Sequence, residues 1–276
     1  MAAPDHLRPS TLPEALEALK RPGARALAGG QALLPLLLDG SEQARSLVEI
    51  GHLAELRGLD RDEEAFFVGA GTRPVDVADT PVVWTLLPAF AEMAGAMGDP
   101  QFRNRATLGG ALAENHPSSC WLAAALALEA RIQTDRREFL AEEWTLGAFE
   151  TPLEPGEALV GLRLRIPRRA GWARIRAGSG SGSPFPLASV FAVETREGAA
   201  RLGVAGGRDG AFRWRAGEAA LEESGFAPDS LAGLAPRSDG MSADERADAA
   251  HRALLAGRAA ALAVARALEI RSAPGL

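Results

Sequence analysis

Tyrosine is absent from this 276-residue chain, and cysteine occurs once, as Cys120. Lys20 is the only lysine. The first absence removes phenol general acids from consideration, and the scarcity of lysine does the same for Schiff-base chemistry. A single thiol forms no internal disulfide and cannot assemble an iron–sulfur cluster or a structural zinc site. Any such centre has to sit on another chain. Long apolar runs are also missing: nothing approaches the ~20 residues needed to cross a bilayer. The richest stretch, Trp121 to Leu128, reads as a buried helix. The opening Met1-Ala-Ala-Pro-Asp-His lacks the basic start and apolar core of a signal peptide, so a cytoplasmic location is expected. A surplus of positive charge is lacking too. The net charge is -6 and the arginines are dispersed along the sequence, which argues against a nucleic-acid surface.

What is present suits a folded protein of two domains, with a hydrophobic fraction of 47%. Ser10-Thr-Leu-Pro to Lys20 reads as a short capped helix that Pro22-Gly23 ends. Arg25 to Ala28 is a strand that runs into Gly29-Gly30 and a helical Gln31 to Leu38. Strand, glycine turn and helix recur at Phe66 to Thr72 and Pro74 to Ala78. Residues 82–97 have helical spacing, 101–119 is a polar, glycine-bearing stretch, and a helix resumes near Cys120. Strands are expected at 129–133, 159–166, 172–176, 186–195 and 200–205, a helix at 214–223, and a long alanine-rich helix from Ser242. The Gly178 to Pro184 segment has the composition of a flexible loop, and the domain boundary is expected beside it.

Two segments carry candidate chemistry. Gly29-Gly30 after a strand offers unhindered backbone N–H groups of the kind that cradle a pyrophosphate, although a glycine pair alone equally describes a tight turn. Arg103-Asn-Arg105 precedes Thr107-Leu-Gly-Gly110 in a stretch too polar for a core, and Thr107 adds a hydroxyl. The two arginines read either as anion contacts or as ties to loop carbonyls. His116 reads as a surface or supporting histidine. Cys120 reads as a small buried filler, or as a thiol with a depressed pKa at a helix start. Asp62-Glu63-Glu64 reads as a solvated turn, because adjacent carboxylates do not converge.

Taken in order, Ala28-Gly-Gly-Gln-Ala-Leu-Leu-Pro35, Gly69-Ala-Gly-Thr72, Gln101-Phe-Arg-Asn-Arg-Ala-Thr-Leu-Gly-Gly-Ala-Leu-Ala113 and Pro117 resemble successive motifs of the FAD-binding medium subunit of molybdenum hydroxylases. That family includes carbon monoxide dehydrogenase and xanthine dehydrogenase. The segment Gly156 to Pro167 and the C-terminal residues beyond it extend the resemblance over essentially the whole chain.

The resemblance implies an α+β protein. A two-lobed FAD-binding domain of the vanillyl-alcohol-oxidase type (1–176, lobes about 1–55 and 56–176) would precede a small C-terminal domain (177–276) with a three-stranded antiparallel sheet and helices. FAD is the implied cofactor. Ala28, Gly29, Gly30, Gln31, Ala32 and Leu33, with Thr107, Leu108, Gly109, Gly110 and Ala111, would face its pyrophosphate and ribityl chain. Leu159 or Val160 would lie against the isoalloxazine, and Glu114, Cys120 and Arg176 complete the implied set. The implied partners are a small [2Fe–2S] subunit and a large molybdopterin subunit, with a homodimer of heterotrimers as one assembly; the alanine-rich C-terminal helix is one candidate docking face by its composition. No catalytic residue and no metal ligand is expected on this chain, nor any membrane span. The implied role is electron transfer.

Three positions depart from the family. Ala32, Ala111 and Cys120 stand where a serine or aspartate, an asparagine or serine, and an acidic residue are usual. At roughly 0.5–1.5 kcal/mol per lost hydrogen bond, they cost about one to three powers of ten in affinity. The alternatives are therefore a flavin-free scaffold or regulatory subunit of the same fold, and a stand-alone FAD oxidase. The latter is disfavoured because no covalent flavin-attachment motif is evident.

Overall fold

The structure is a computed structural model and describes residues 3–62, 65–178 and 185–269. Three parallel strands open it: β1 (Asp5–Leu7), β2 (Ala24–Leu27) and β3 (Ser46–Glu49), in the order β1-β3-β2. Helix α1 (Leu12–Leu19) begins where Thr11 Oγ accepts the Glu14 N–H, and buries Ala15 and Leu19 against Val48, Ile50, Leu53 and Leu56. Helix α2 (Leu33–Leu38) comes after the glycine turn and buries none of its residues.

A five-stranded sheet comes next. Its strands are β4 (Leu59–Arg61), β5 (Ala65–Gly69), β6 (Arg131–Thr134), β7 (Glu138–Leu140) and β8 (Leu159–Arg165), in the order β4-β5-β8-β6-β7. Between β5 and β6 run six helices: α3 (Pro74–Ala78), α4 (Pro81–Leu86), α5 (Pro88–Gly95), α6 (Pro100–Arg105), α7 (Leu108–Glu114) and α8 (Cys120–Ala127). The single helix expected over 82–97 is thus two, because Pro88 cannot continue the helix before it and starts the next one instead. The polar 101–119 stretch likewise contains two helices, capped by Asp99 and Thr107 through the N–H groups of Phe102 and Gly110. Every residue of α8 is buried. The short α9 (Ala141–Trp144) comes after β7.

The last sheet has the order β12-β11-β10-β9 and is antiparallel throughout. Its strands are β9 (Arg169–Ile175), β10 (Ala188–Glu194), β11 (Ala200–Ala205) and β12 (Phe212–Arg213). The expected three-stranded sheet gains a fourth member because the chain after Gly206 returns to pair Phe212 and Arg213 with Val204 and Gly203. Helix α10 (Arg215–Glu223) leads on to α11 (Ala249–Glu269). The last helix starts later than Ser242, since Asp244 and Ala247 form a bridge and the Asp248 carboxylate accepts the His251 N–H.

Alternation decides what this sheet touches. Ala173, Ala188, Val190, Ala192, Leu202 and Val204 pack with the alanines of α11, and Gly171 approaches so closely that a Cβ would lie 2.0 Å from the Ala263 carbonyl oxygen. The opposite face bears Trp172, Phe191 and Val193, which belong to the same core as α5, α8 and the five-stranded sheet. A Cβ on Gly203 would fall 1.8 Å from the Ala123 oxygen, so α8 lies against β11 at main-chain distance. The alanine face of α11 is therefore consumed by its own sheet, and the outward face carries Leu254 and Leu262 beside Arg258. The expected loop at 178–184 falls, from 179 onward, outside the described residues, as do Glu63 and Glu64.

Candidate functional site

Glycines let four chain segments meet at main-chain distance at the carboxyl end of β2. A Cβ on Gly29 would lie 1.9 Å from the Arg105 oxygen, and one on Gly51 would lie 2.9 Å from the Ala28 Cα. One on Gly69 would lie 2.5 Å from the Leu56 oxygen, and one on Gly109 2.7 Å from the Ala70 Cβ. None of these four positions admits a side chain without moving a neighbour. The turn at 28–32, the exit of β3, the turn after β5 and the α6–α7 junction are thus locked together. Hydrogen bonds tie the same pieces: Leu108 N–H to Thr72 O (2.9 Å), Gly109 N–H to Ala70 O (2.7 Å), and Arg57 Nε–H to Gly51 O (3.0 Å).

Within this junction the two glycine motifs differ. The N–H groups of Gly29, Gly30, Gln31 and Ala32 have no hydrogen-bond acceptor among the described residues. Gly30 turns the chain at φ +71, a conformation that favours glycine. Four successive donors in a partly exposed turn are the arrangement that holds a phosphate or another anion. In the second motif the donors are already used. Leu108 and Gly109 donate as above, Gly110 N–H donates to Thr107 Oγ at 3.2 Å, and Ala111 N–H donates to Thr107 O. The expectation of free donors at Gly109 and Gly110 is corrected accordingly: the Thr107-Leu-Gly-Gly motif caps α7 and clamps it onto Ala70 and Thr72.

The remaining residues singled out from the sequence spread outward from the junction. Leu108 and Leu159 are buried in the large core, and Val160 packs on the N-terminal core while its carbonyl accepts the Ala70 N–H at 2.8 Å. Ala111 is partly buried against the large core. Burial raises the Glu114 carboxyl, which has no hydrogen-bonding partner among the described residues. Arg103 does tie loop carbonyls, reaching Met97 O and Gly98 O at 2.9 and 3.2 Å. Arg176 lies exposed just past β9.

Cys120 is buried, its Sγ 3.5 Å from the Ser189 Oγ that also accepts the Trp172 Nε1–H at 2.8 Å. Burial pushes the thiol up rather than down, which makes it the inert filler of the two readings. His116 lies stacked on Phe185 (4.0 Å between centroids) and edge-on to Phe149. Its Nδ1 accepts the Ser118 N–H at 3.0 Å, and burial and Arg246 lower its pKa to about 4, so the ring is neutral. Gly51 and Arg57 were not singled out from sequence. The signal available was a glycine at the end of a parallel strand next to the one that feeds Gly29, in a sheet whose ligands are expected at carboxyl ends.

Residues 3–169 match the family described as the FAD binding domain in molybdopterin dehydrogenase. The carbon monoxide dehydrogenase medium chain of Hydrogenophaga pseudoflava is 36% identical over 174 residues, a stretch that is 60% of each protein. Caffeine dehydrogenase subunit beta of Pseudomonas sp. (strain CBB1) is 30% identical over 177 residues, 61% of this chain and 60% of that one. The similarity thus spans about three fifths of these relatives' length. Among solved structures, a carbon monoxide dehydrogenase from Hydrogenophaga pseudoflava superposes with a TM-score of 0.84 at 28% identity, over 97% of this chain and 98% of that one. The reconstituted enzyme from Oligotropha carboxidovorans gives 0.88 at 24% identity, covering 96% and 98%.

Proposed function

Since the chain belongs to the family of FAD-binding domains of molybdopterin dehydrogenases, we propose that it is the flavin-carrying, electron-transferring medium subunit of such an oxidoreductase. The observation that carries this reading is the run of four N–H groups at Gly29 to Ala32 that have no acceptor among the described residues, in a turn held against the α6–α7 junction by the close approach of Gly29 to Arg105. These residues fit the diphosphate of FAD. Thr107, whose Oγ accepts the Gly110 N–H, keeps its hydroxyl proton for a second contact. Glu114 is the free carboxylate for ribityl hydroxyls, and Val160, Leu159 and Arg176 frame the ring end. Bound FAD supplies the chemistry of accepting electrons singly from iron–sulfur clusters and passing them on as pairs. The chain's own part is to fix the diphosphate, shield the ring's surroundings with its core and present the flavin to partners.

The reading extends to the vanillyl-alcohol-oxidase type of two-lobed FAD domain, whose lobes correspond to the parallel and the five-stranded sheets. In this reading the FAD-binding domain is 1–176 and the small C-terminal domain 177–276, and the pairing of β9 along its whole length with β10 favours moving the division to before Arg169. The partners are a small [2Fe–2S] subunit and a large molybdopterin subunit, assembled in the cytoplasm, with the organic substrate oxidised on the large one. No helix among the described residues is long and apolar enough to cross a membrane.

The second reading, a flavin-free scaffold of the same fold, draws support from Ala32 and Ala111, from the spent donors of 108–110 and from Cys120 facing Ser189. Co-expression with the two partner subunits separates the two. An electron-transferring subunit forms a shared size-exclusion peak whose flavin absorbance bleaches when substrate is added anaerobically. A shared peak without flavin supports the scaffold, and separate elution of all three chains refutes the assembly.

A further inference from the structure

Helix α11 has two apolar faces, and its own sheet uses only one of them. The buried side, with Ala256, Ala259, Ala260, Ala263 and Val264, fills the core against β9, β10 and β11. A helix lying on a sheet ordinarily turns a polar face to water. Here the outer face presents Leu254, Leu262 and Leu268, which are 58, 52 and 40% exposed, with the partly exposed Ala261 and Ala265 among them. Three of the eleven large apolar side chains exposed among the described residues thus stand on this one element, more than on any other. Single exposed leucines need no explanation, whereas an aligned row marks an interaction surface.

The alignment follows a coiled-coil repeat. Residues 251, 254, 258, 261, 265 and 268 advance in alternating steps of three and four, and none of them is buried. Two charges lie in the same row. Arg258 and Glu269 are both exposed, and the side chain of neither has an ion-pair or hydrogen-bond partner among the described residues. Their separation of eleven residues amounts to about 16 Å along the helix and only about 20° around it. The neighbouring Arg266, by contrast, is held by Glu92 and by the Trp172 carbonyl at 3.1 and 2.8 Å.

A row with a cation towards one end and an anion at the other complements itself when turned end over end. Two copies of α11 packed antiparallel about a two-fold axis set Arg258 of each beside Glu269 of the other. The same register lays Ala261 of each against Ala265 of the other, where small side chains let the axes approach to about 8 Å, and Leu268 meets the apolar stem of Arg258. A parallel pair would instead set Arg258 on Arg258 and Glu269 on Glu269.

We propose that the outer face of α11 is a dimerisation surface that takes a second copy of this chain, antiparallel, with Arg258 and Glu269 paired across the two-fold axis. The seam is a single helix on each side and falls short of the roughly 800 Å² per partner that stable interfaces bury, so the dimer is weak, with a Kd in the micromolar range or above. None of its residues belongs to the junction at 28–32, and the surface is independent of the flavin reading.

Sedimentation velocity of the purified full chain, from micromolar to submillimolar concentration, tests the proposal. Wild type shifts from monomer to dimer as concentration rises, and Leu262→Glu, a change at a half-exposed position, abolishes the shift. Arg258→Glu weakens dimerisation roughly three- to thirtyfold, since each dimer loses two exposed ion pairs and gains two like-charge contacts. Adding Glu269→Arg to Arg258→Glu restores dimerisation to within about threefold of wild type, because the exchanged charges again face their opposites. Leu146→Glu, at a comparably exposed leucine on the loop after α9, leaves the shift unchanged. All these variants melt with wild type, as substitutions of solvent-facing side chains should. A wild type that stays monomeric across the series, as it would if the face served a different partner chain, overturns the proposal. So does a dimer insensitive to Leu262→Glu, or a double variant no better than Arg258→Glu alone.

Discussion

Gly29→Ala introduces one methyl group at the point where the two glycine motifs touch. The added Cβ would start 1.9 Å from the Arg105 oxygen, 2.7 Å from the Arg105 carbon and 3.0 Å from the Ala106 Cα. All three are main-chain atoms, so no side chain can rotate away, and the turn at 28–32 has to separate from the α6–α7 junction. Overpacking a filled site costs typically about 1–3 kcal/mol, and a clash confined to backbone belongs at or above the upper end. At roughly 2–4 °C per kcal/mol for a domain of this size, a loss of about 3 kcal/mol lowers the melting midpoint by about 6–12 °C. The matched control is Gly110→Ala, whose Cβ would meet nothing nearer than Thr107 Oγ at 3.0 Å and should cost much less. Urea denaturation of both variants and of wild type, read by tryptophan fluorescence, gives the two differences. Equal stabilities of Gly29→Ala and wild type would show that the motifs are not in main-chain contact, and the geometry of the proposed site would fall with them.

The same structure sets three further outcomes. His116 is neutral and partly buried, with a pKa of about 4 against the ordinary 6.5; between these values the unfolded chain binds a proton that the folded chain refuses, so stability falls as pH drops through that window. His116→Gln should flatten the fall, and an NMR titration giving the ring a pKa near 6.5 would refute the burial. The Glu157 carboxylate is held down to about 2 by Arg137 and Thr134, so its stabilising effect is present above the ordinary 4.5 and is lost as pH falls towards 2. The melting deficit of Glu157→Gln should therefore be largest near neutrality and vanish below about pH 2, whereas a pH-independent deficit would contradict this. Cys120, buried with a raised thiol, should resist a disulfide reagent until the chain unfolds, and rapid labelling of native protein would place it at the surface.

How much of this was legible in the sequence depended on range. Glycines and prolines announced local geometry: the turn at Gly30, the strands 159–165 and 200–205 and the all-apolar α8 are where periodicity puts them. Elements whose formation depends on a distant partner were missed. Strands β1 and β3 are short and gain their identity from pairing with each other and β2, and β12 exists because β11 lies beside it. The candidate site divides in the same way. The order of glycine motifs is visible in one dimension, but whether an N–H is free is a tertiary question: the donors of 108–110 are taken by Ala70, Thr72 and Thr107, and no local pattern connects the first two to them.

The central claim is that the turn at Gly29 to Ala32 holds FAD. Equilibrium dialysis of the purified chain against FAD, followed by gel filtration and flavin quantification after acid release, tests it directly, with Gly30→Val as the partner sample. The introduced valine would be strained at φ +71, and its Cβ would crowd Leu34 Cδ1 at 2.7 Å, so the N–H groups would lose their alignment. The account predicts one FAD retained per wild-type chain and little or none in the variant. A wild-type chain that remains colourless after dialysis, or a variant that retains flavin at full occupancy, would contradict it.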